Sequence, residues 1–490
     1  MTFCQALQIH KRTSIFRFPA NVIASKHAQV ILRRFSVNPR FNTAIDSSAG
    51  KKSDASSSKN KVSASKRIDT TTEWEETPNF SISQFSELPH TNFGINQHII
   101  INNELKEALR QVLWYFRAPI RYAFVYGSGV FPQSNQASIL SSNTSVHPHA
   151  PSAVTKAQRG APKMIDFIFG VSHTQHWHSL NLAQNRDHYS MLGSFGSGAV
   201  SLVQDRWGAG VYFNPYVTVN GMMIKYGVVN IDTICTDLTE WKTLYLAGRL
   251  QKPVKILRDD PRVRLANQIN LISALRTALL LLPSDFTEFE LYNTITSISY
   301  MGDPRMMFHL ENPKKVENIV GNNLQNFRQL YSPLIRNLPN ICFKDLQQSN
   351  PDLNYDPSAN LRLAQDMDPV KRANMVRRLP KAFRSKLYFE YQKKYCISGL
   401  EFEKMLEDSK DEDAIRINRR EGGGFERKIA NEPPGHLRTE IKKVIRSTVK
   451  LPSINQSLKG AVTAGPVRTW RYLKEKMAKN KQGRHVTGRS

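Results

Sequence analysis

Three stretches of this chain carry residue types in an order suited to handling anions. The run Tyr122-Ala-Phe-Val-Tyr126 is a short series of strand formers that stops at Gly127-Ser128-Gly129. Glycine lets backbone N–H groups approach an anion with no side chain intervening, so this junction is a candidate phosphate cradle. A second strand-like run, Met164 to Phe169, holds one carboxylate: Ile165, Phe167 and Phe169 share a face and Asp166 points the other way. A lone carboxylate among apolar neighbours is costly unless it meets a cation or donors, so Asp166 is either a cation-binding group or a strand-edge residue satisfied by backbone N–H groups. The third stretch is basic. Lys225, between Ile224 and Tyr226, is either a snorkelling edge lysine or a phosphate contact. Arg249, Lys252 and Lys255 fall close together around Pro253 and suit either an anionic group or a solvated loop. Two more carboxylates are candidates for a metal. Asp237, followed by Glu240, reads first as the cap of a helix carrying Trp241, Leu244, Tyr245 and Gly248, and Asp232 ends the preceding strand.

The elements that must position these residues are legible in outline. Leu105, Leu109, Val112, Leu113 and Phe116 share one helical face, and Pro119 closes that helix. Residues 134–162 are polar and read as an exposed loop. Asn220-Gly221 between two apolar runs, 211–219 and 222–230, predicts a hairpin. Residues 260–340 read as several helices, including Leu265 to Leu282 and one opening at Ser284-Asp285, while 345–445 mixes charge, Pro and Gly and is expected to be loose helix and insertion. Val467, Trp470, Leu473 and Met477 lie on one side of a helical wheel whose other sides carry Arg468, Arg471, Lys476 and Lys479. A basic amphipathic helix with Trp on its apolar face reads as an interfacial membrane anchor, with docking on its own domain or a nucleic-acid tail as the alternatives.

Composition narrows the function classes. The 490 residues are 40% hydrophobic, enough for real cores, and the four cysteines include no C-x-x-C pair, which excludes a disulfide scaffold or zinc ribbon. No apolar run approaches the ~20 residues that span a bilayer. The net charge is +27, yet residues 1–68 contribute +11 and residues 437–490 contribute +12, leaving the middle nearly neutral. Basic ends point to targeting or to an anionic surface met by a tail, whereas a nucleic-acid domain more often carries its basic face within the fold. The N-terminal end has no acidic residue before Asp46 and carries Lys11, Arg12, Arg17, Lys26, Arg33 and Arg34 among Ser, Ala, Leu and Phe, the composition of a transit peptide or a basic arm. Residues 41–75 are polar and low in complexity, so 1–75 is set outside the fold.

Taken together, the stretches YAFVYGSGVFPQ (122–133), KMIDFIFGV (163–171), HWHSLNLAQNRDHYS (176–190), GAGVYFNP (208–215), IKYGVV (224–229), WKTLYLAGRLQKPVKI (241–256), SYMGDPRM (299–306) and SLKGAVTAG (457–465) resemble the peripheral mitochondrial phosphatidate cytidylyltransferases, also called translocator assembly and maintenance proteins. The resemblance covers roughly residues 95–345 and 450–480. It implies an α+β architecture: a nucleotidyltransferase-fold mixed sheet with flanking helices (95–258), a helical winged-helix-like domain (259–345) and a C-terminal helix; the residues themselves add a charged, partly disordered insertion (346–450) and a basic amphipathic C-terminal membrane-binding region (451–490). It implies magnesium-dependent conversion of CTP and phosphatidate to CDP-diacylglycerol and pyrophosphate, on the matrix face of the mitochondrial inner membrane, feeding cardiolipin and phosphatidylglycerol synthesis. On that reading Asp166 binds Mg²⁺ and Gly127, Ser128 and Gly129 hold the triphosphate. Lys225, Arg249, Lys252 and Lys255 meet the lipid phosphate and the pyrophosphate, and Tyr126 and Tyr189 are either cytosine-stacking or core. The general nucleotidyltransferase pattern has two carboxylates one residue apart; position 168 is Ile, so a second metal ligand would come from Asp232, Asp237 or the nucleotide. Two other functions suit the same chain: a polynucleotide nucleotidyltransferase such as a tRNA-tailing enzyme, and a non-enzymatic import-assembly factor. Nucleic acid is not expected as a partner.

Overall fold

Five short, largely apolar runs, the central ones buried on both faces, build the larger sheet. The structure, a computed structural model, describes residues 73–76, 78–133, 146–158, 162–307, 311–344, 359–404, 424–465 and 469–471. Strands β1 (Tyr122–Tyr126), β2 (Ile165–Val171), β3 (Tyr212–Val219), β4 (Met222–Asn230) and β5 (Lys255–Arg258) form a mixed sheet of order β3-β4-β2-β1-β5. β1 runs antiparallel to β2 and β5, β3 antiparallel to β4, and β2 parallel to β4. The β3–β4 connection is the Asn220-Gly221 turn, with φ of 49° and 75° at its two residues; glycine is what makes the second position cheap.

Side chains alternate across the sheet and separate two cores. Ala123, Val125, Ile165, Phe167, Phe169, Ile224 and Tyr226 pack with Leu105, Leu109 and Val112 of helix Asn103–Tyr115 and with Trp177 of helix Thr174–Gln184. Tyr122, Phe124, Ile168, Phe213 and Ile256 face the larger core, built from helices Ile231–Glu240, Pro261–Leu281 and the C-terminal half of the chain. The helix Pro261–Leu281 opens with Pro in its first turn and Asp260 accepting from the Arg262 and Val263 N–H groups. Nearly all its residues are buried, so it is the axis of that core, and no described helix is long and apolar enough to cross a membrane.

Several expectations need correction. Ser284-Asp285 opens a strand, Asp285–Thr287, before the helix Glu288–Ile298, which takes a Thr287/Glu290 capping box. This strand pairs antiparallel with Arg362–Gln365, which also pairs with Ile341–Phe343. A boundary at 345 would therefore cut a three-stranded sheet. Residues 369–394 and 424–464 are not loose insertion: helices Pro369–Arg377, Lys381–Lys394, Gly424–Ala430 and Pro434–Ala464 bury Phe383, Tyr391, Ile429, Ile441 and Ile445 in the large core. Charge on their outer faces hid the apolar faces. The 134–162 loop contains a short helix, Ser152–Ala157. Glu75 belongs to the fold, because its carboxylate accepts from the buried Arg276 guanidinium, Nη2 to Oε2 3.0 Å. The basic segment 1–68, with Val467, Leu473 and Met477, lies outside the described residues.

Candidate active site

The sheet register brings three of the chemistry-bearing residues abreast. Tyr126 is paired with Asp166, and Asp166 with Lys225, so they occupy adjacent strands at one level. All three point to the large-core face, at the edge where β1 ends and β2 begins. Strands lie about 4.8 Å apart, so the side chains meet at contact range. The Lys225 Nζ is 3.6 Å from the Asp166 Oδ1, and the two side chains remain 20% and 29% exposed. The same ammonium lies 4.4 Å over the Phe213 ring.

The bend after Tyr126 closes over this carboxylate. Gly127 has φ 81°, a conformation that favours glycine, and a Cβ placed on it would come 3.4 Å from the Asp166 Oδ2. Its carbonyl accepts from the Val130 and Phe131 N–H groups at 3.1 and 2.9 Å, which tightens the turn around Ser128. Gly129 passes so close to the start of β2 that a Cβ there would sit 2.9 Å from the Met164 carbonyl oxygen. The Gly-Ser-Gly bend and Asp166 thus converge, although 38 positions separate Ser128 from Asp166 in the chain.

A second cluster continues from the row. The Arg249 guanidinium stacks at 3.9 Å over Tyr245 and at 5.4 Å over Tyr126. The Lys252 Nζ donates to the Ser299 hydroxyl at 2.8 Å and to the Gly248 carbonyl. Lys252 and Lys315 approach the Tyr300 ring at 5.2 and 5.4 Å. Burial, reinforced by Arg249 and Lys315, pulls the Lys252 ammonium down to about 7. Arg305, paired with Asp303 at 2.6 Å, adds a further positive field on Arg249 and Lys315. Arg249, Lys252, Arg305 and Lys315 thus gather positive charge beside the row, with only the Lys252 ammonium held down, and such a cluster suits a polyanion. Tyr245, Tyr300, Arg305 and Lys315 were not singled out from the sequence. Tyr300 and Arg305 lie in the SYMGDPRM stretch, and that stretch was the available signal.

Other sequence candidates are placed elsewhere. Lys255 faces the opposite side of the sheet, where its buried Nζ donates to the Ile99 carbonyl at 2.7 Å. Tyr189 is buried on that side too: its hydroxyl is bound by Asn181 and His178, and Asn181 also donates to the Tyr226 hydroxyl at 3.0 Å. Burial lowers His178 to about 4 and keeps it neutral. Asp237 does not open a helix. It lies in the last turn of Ile231–Glu240, and its carboxylate accepts from the N–H groups of Thr243, Leu244, Leu246 and Ala247 and from the Thr243 hydroxyl. Those donors use up its lone pairs, so Asp237 shapes the turn that presents Arg249. Asp232 lies beyond the far end of β4, past Asn230, which pairs with Val171. That places it more than about 16 Å along the strands from Asp166, and it is paired with Arg262 at 2.6 Å. The second-ligand expectation for Asp232 and Asp237 therefore does not fit the geometry. Among the described residues no group of three His, Cys, Asp or Glu could hold a metal. Asp166 alone fits a partial site: its carboxylate is accessible and flanks the glycine bend, and Mg²⁺ commonly takes one or two carboxylates and completes its shell with phosphates and water.

Comparison with known proteins settles the lineage. The family described as "Phosphatidate cytidylyltransferase, mitochondrial" matches residues 109–479. The chain belongs to this family. It is similar to the mitochondrial phosphatidate cytidylyltransferase of Schizosaccharomyces pombe, 38% identical over 387 residues, covering 78% of this chain and 86% of that protein. Proteins of the same name from Xenopus laevis (35% identical; 76% of this chain, 93% of that one) and Mus musculus (32%; 76% and 95%) are likewise similar. The match of a phosphatidate cytidylyltransferase spans both sheets and the C-terminal helix, so the site row and the second cation cluster lie within it.

Proposed function

We infer that this chain is a phosphatidate cytidylyltransferase, joining CTP and phosphatidate into CDP-diacylglycerol with release of pyrophosphate. Family membership supplies the reaction class. The observation that carries the site is the alignment of Tyr126, Asp166 and Lys225 on three strands beside the Gly127 bend.

The chemistry asks little of a general base. A phosphomonoester has its second pKa near ~6, so phosphatidate is largely a dianion at neutral pH and already nucleophilic. One of its oxygens attacks the α-phosphorus of CTP. The bond from that phosphorus to the α,β-bridging oxygen breaks, and pyrophosphate leaves with the electron pair. The obstacle is repulsion between two polyanions, so positioning and charge neutralisation do the work. The Ser128 hydroxyl and the backbone N–H groups of the glycine bend hold the outer phosphates. Lys225 lies between the nucleotide and the incoming lipid phosphate. Arg249 and Lys252, with Arg305 and Lys315 behind them, receive the pyrophosphate. Tyr126 is braced by Arg249 and walls the nucleotide side of the row. Asp166 would hold Mg²⁺, which when bound neutralises triphosphate charge and makes the α-phosphorus more electrophilic.

The relatives are named mitochondrial, and the acid-poor basic segment at 1–40 suits a transit peptide. A peripheral position on an anionic inner-membrane surface, on the matrix side, fits a lipid substrate and the basic C-terminal residues 437–490. The decisive assay supplies purified chain and Mg²⁺ with α-labelled CTP and either phosphatidate vesicles or tRNA. Label in a liponucleotide is expected. Label in tRNA, or no transfer to lipid, overturns the reading. An Asp166→Asn variant separates an enzyme from a scaffold, since a scaffold tolerates the change.

A further inference from the structure

Two large apolar side chains stand out in water on a turn that is built to hold them there. Met191 is 79% exposed and Phe195 71% exposed. They lie on the turn Met191–Phe195, whose entry is capped by the Ser190 hydroxyl accepting from the Leu192 N–H. The Arg186 guanidinium braces the turn from beneath. It donates to the Tyr189 and Ser190 carbonyls at 3.3 Å each and to the Ser194 hydroxyl. Gly193 fits only as glycine, because a Cβ there would lie 2.8 Å from the Tyr189 Cβ. A braced turn that exposes Met and Phe at this level costs solvation free energy unless something covers them.

The surroundings identify the cover. The long helix Pro434–Ala464 ends at Gly465, where a Cβ would touch the Ser190 Cβ at 3.7 Å, so the helix end and the turn are neighbours. On that helix Leu451, Leu458 and Val462 are exposed, and their spacing of seven and four puts them on one face. Beyond Gly465, Trp470 is 68% exposed. The Arg471 guanidinium lies 4.5 Å over the Tyr216 ring. Tyr216 and Pro215 form a bulge in the edge strand β3, opposite Lys225 in β4. The apolar corner is thus joined through Arg471 and the bulge to the strand that carries Lys225. Residues 437–490 carry a net +12, which complements an anionic surface.

We propose that the Met191–Phe195 turn is a second membrane-contacting element, seated in the interface of an anionic bilayer beside the C-terminal helix. It rests on the phosphatidate reading, because that substrate is a bilayer lipid. Bilayer contact by Met191 and Phe195 fixes the orientation of the folded body, where a C-terminal helix alone would act as a tether. It brings the β3 edge, which neighbours the strand carrying Lys225, near the surface from which a phosphatidate headgroup must rise.

The test uses the full chain and a Met191→Ser/Phe195→Ser double variant. Vesicles contain phosphatidylcholine with a quarter anionic lipid, and turnover is measured both on vesicle phosphatidate and on a short-chain, monomerically dissolved phosphatidate. Loss of vesicle flotation by about tenfold, a matching fall in vesicle turnover, unchanged turnover of the dissolved substrate, and recovery with Phe195→Leu as the sole change support the proposal. Undiminished flotation overturns it. An equal loss on dissolved substrate also overturns it, because the turn would then serve the site or the fold. A drop in oligomeric state with flotation intact assigns the surface to a second copy of the chain and likewise overturns it. If the wild-type chain transfers no cytidylyl group to either substrate while flotation still depends on Phe195, the activity reading fails and the membrane contact stands.

Discussion

Replacing Asp166 by Asn removes one charge and keeps the shape of the side chain. The carboxylate borders the glycine bend and faces Lys225, so the variant is expected to fold with an unchanged melting curve and to lose at least ~10³-fold in turnover, the scale at which transition-state charge stabilisation acts. Wild-type turnover in that variant would falsify the metal-binding assignment. Ser128→Ala should leave kcat near normal and raise the CTP KM by ~10-fold, about one hydrogen bond to a charged group; unchanged kinetics would remove Ser128 from the cradle. Lys252 gives a pH signature. Its ammonium is held down to about 7, so it is protonated and able to pair with phosphate below that value and neutral above it. The contribution of Lys252 to kcat/KM for CTP is therefore expected to be present at lower pH and to fade as pH rises through about 7. Comparing wild type with Lys252→Met across that range isolates it, and parallel profiles would exclude a phosphate role.

Among the elements, the glycine bend is the most exacting. Gly127→Ala forces an alanine to φ 81° and sets its Cβ against Asp166, so a stability loss of about 1 kcal/mol is expected together with a much larger loss of activity. Thermal melts and turnover on one preparation would show the disproportion, and equal effects would mean the bend is only structural. The bend, the lone carboxylate, the hairpin and Lys225 were all readable from local pattern, because each depends on residue type and on neighbours within a few positions. Their side-by-side arrangement was not: β2 and β4 pair in parallel across about 59 positions, Asp166 to Lys225, and no local signal states a long-range register. Asp237 shows the same limit. Its D-x-x-E pattern resembles a helix start, yet its partners are the five donor groups of the turn that follows the helix. The C-terminal helices were hidden by charge, since Pro434–Ala464 buries Leu437, Ile441, Ile445 and Val449 beneath a strongly basic outer face.

Across the whole molecule, stability depends on contacts between distant parts of the chain. Glu75 neutralises Arg276, which is buried in the axial helix. Glu75→Gln should cost ~3–5 kcal/mol because it strands a buried cation, whereas Glu75→Gln with Arg276→Met should recover most of that loss; denaturant midpoints of the two variants decide it. At the other end, the buried Lys459 ammonium donates to the Gln204 and Trp207 carbonyls, and the Gln456 amide joins Ala209 and Val211, its nitrogen donating to the Val211 carbonyl at 3.0 Å. Burial brings Lys459 down to about 7. The folded chain then binds fewer protons at this group than the unfolded chain between about 7 and the ordinary lysine range, so the cost of burying it is full below 7 and eases as pH rises through that window. These two side chains reach back some 250 positions to finish the backbone beside the edge strand. A ribosome must therefore release nearly the entire polypeptide before that rim is sealed. A nascent chain halted short of residue 456 would carry the glycine bend, Asp166 and Lys225 and still lack the side chains that close this rim.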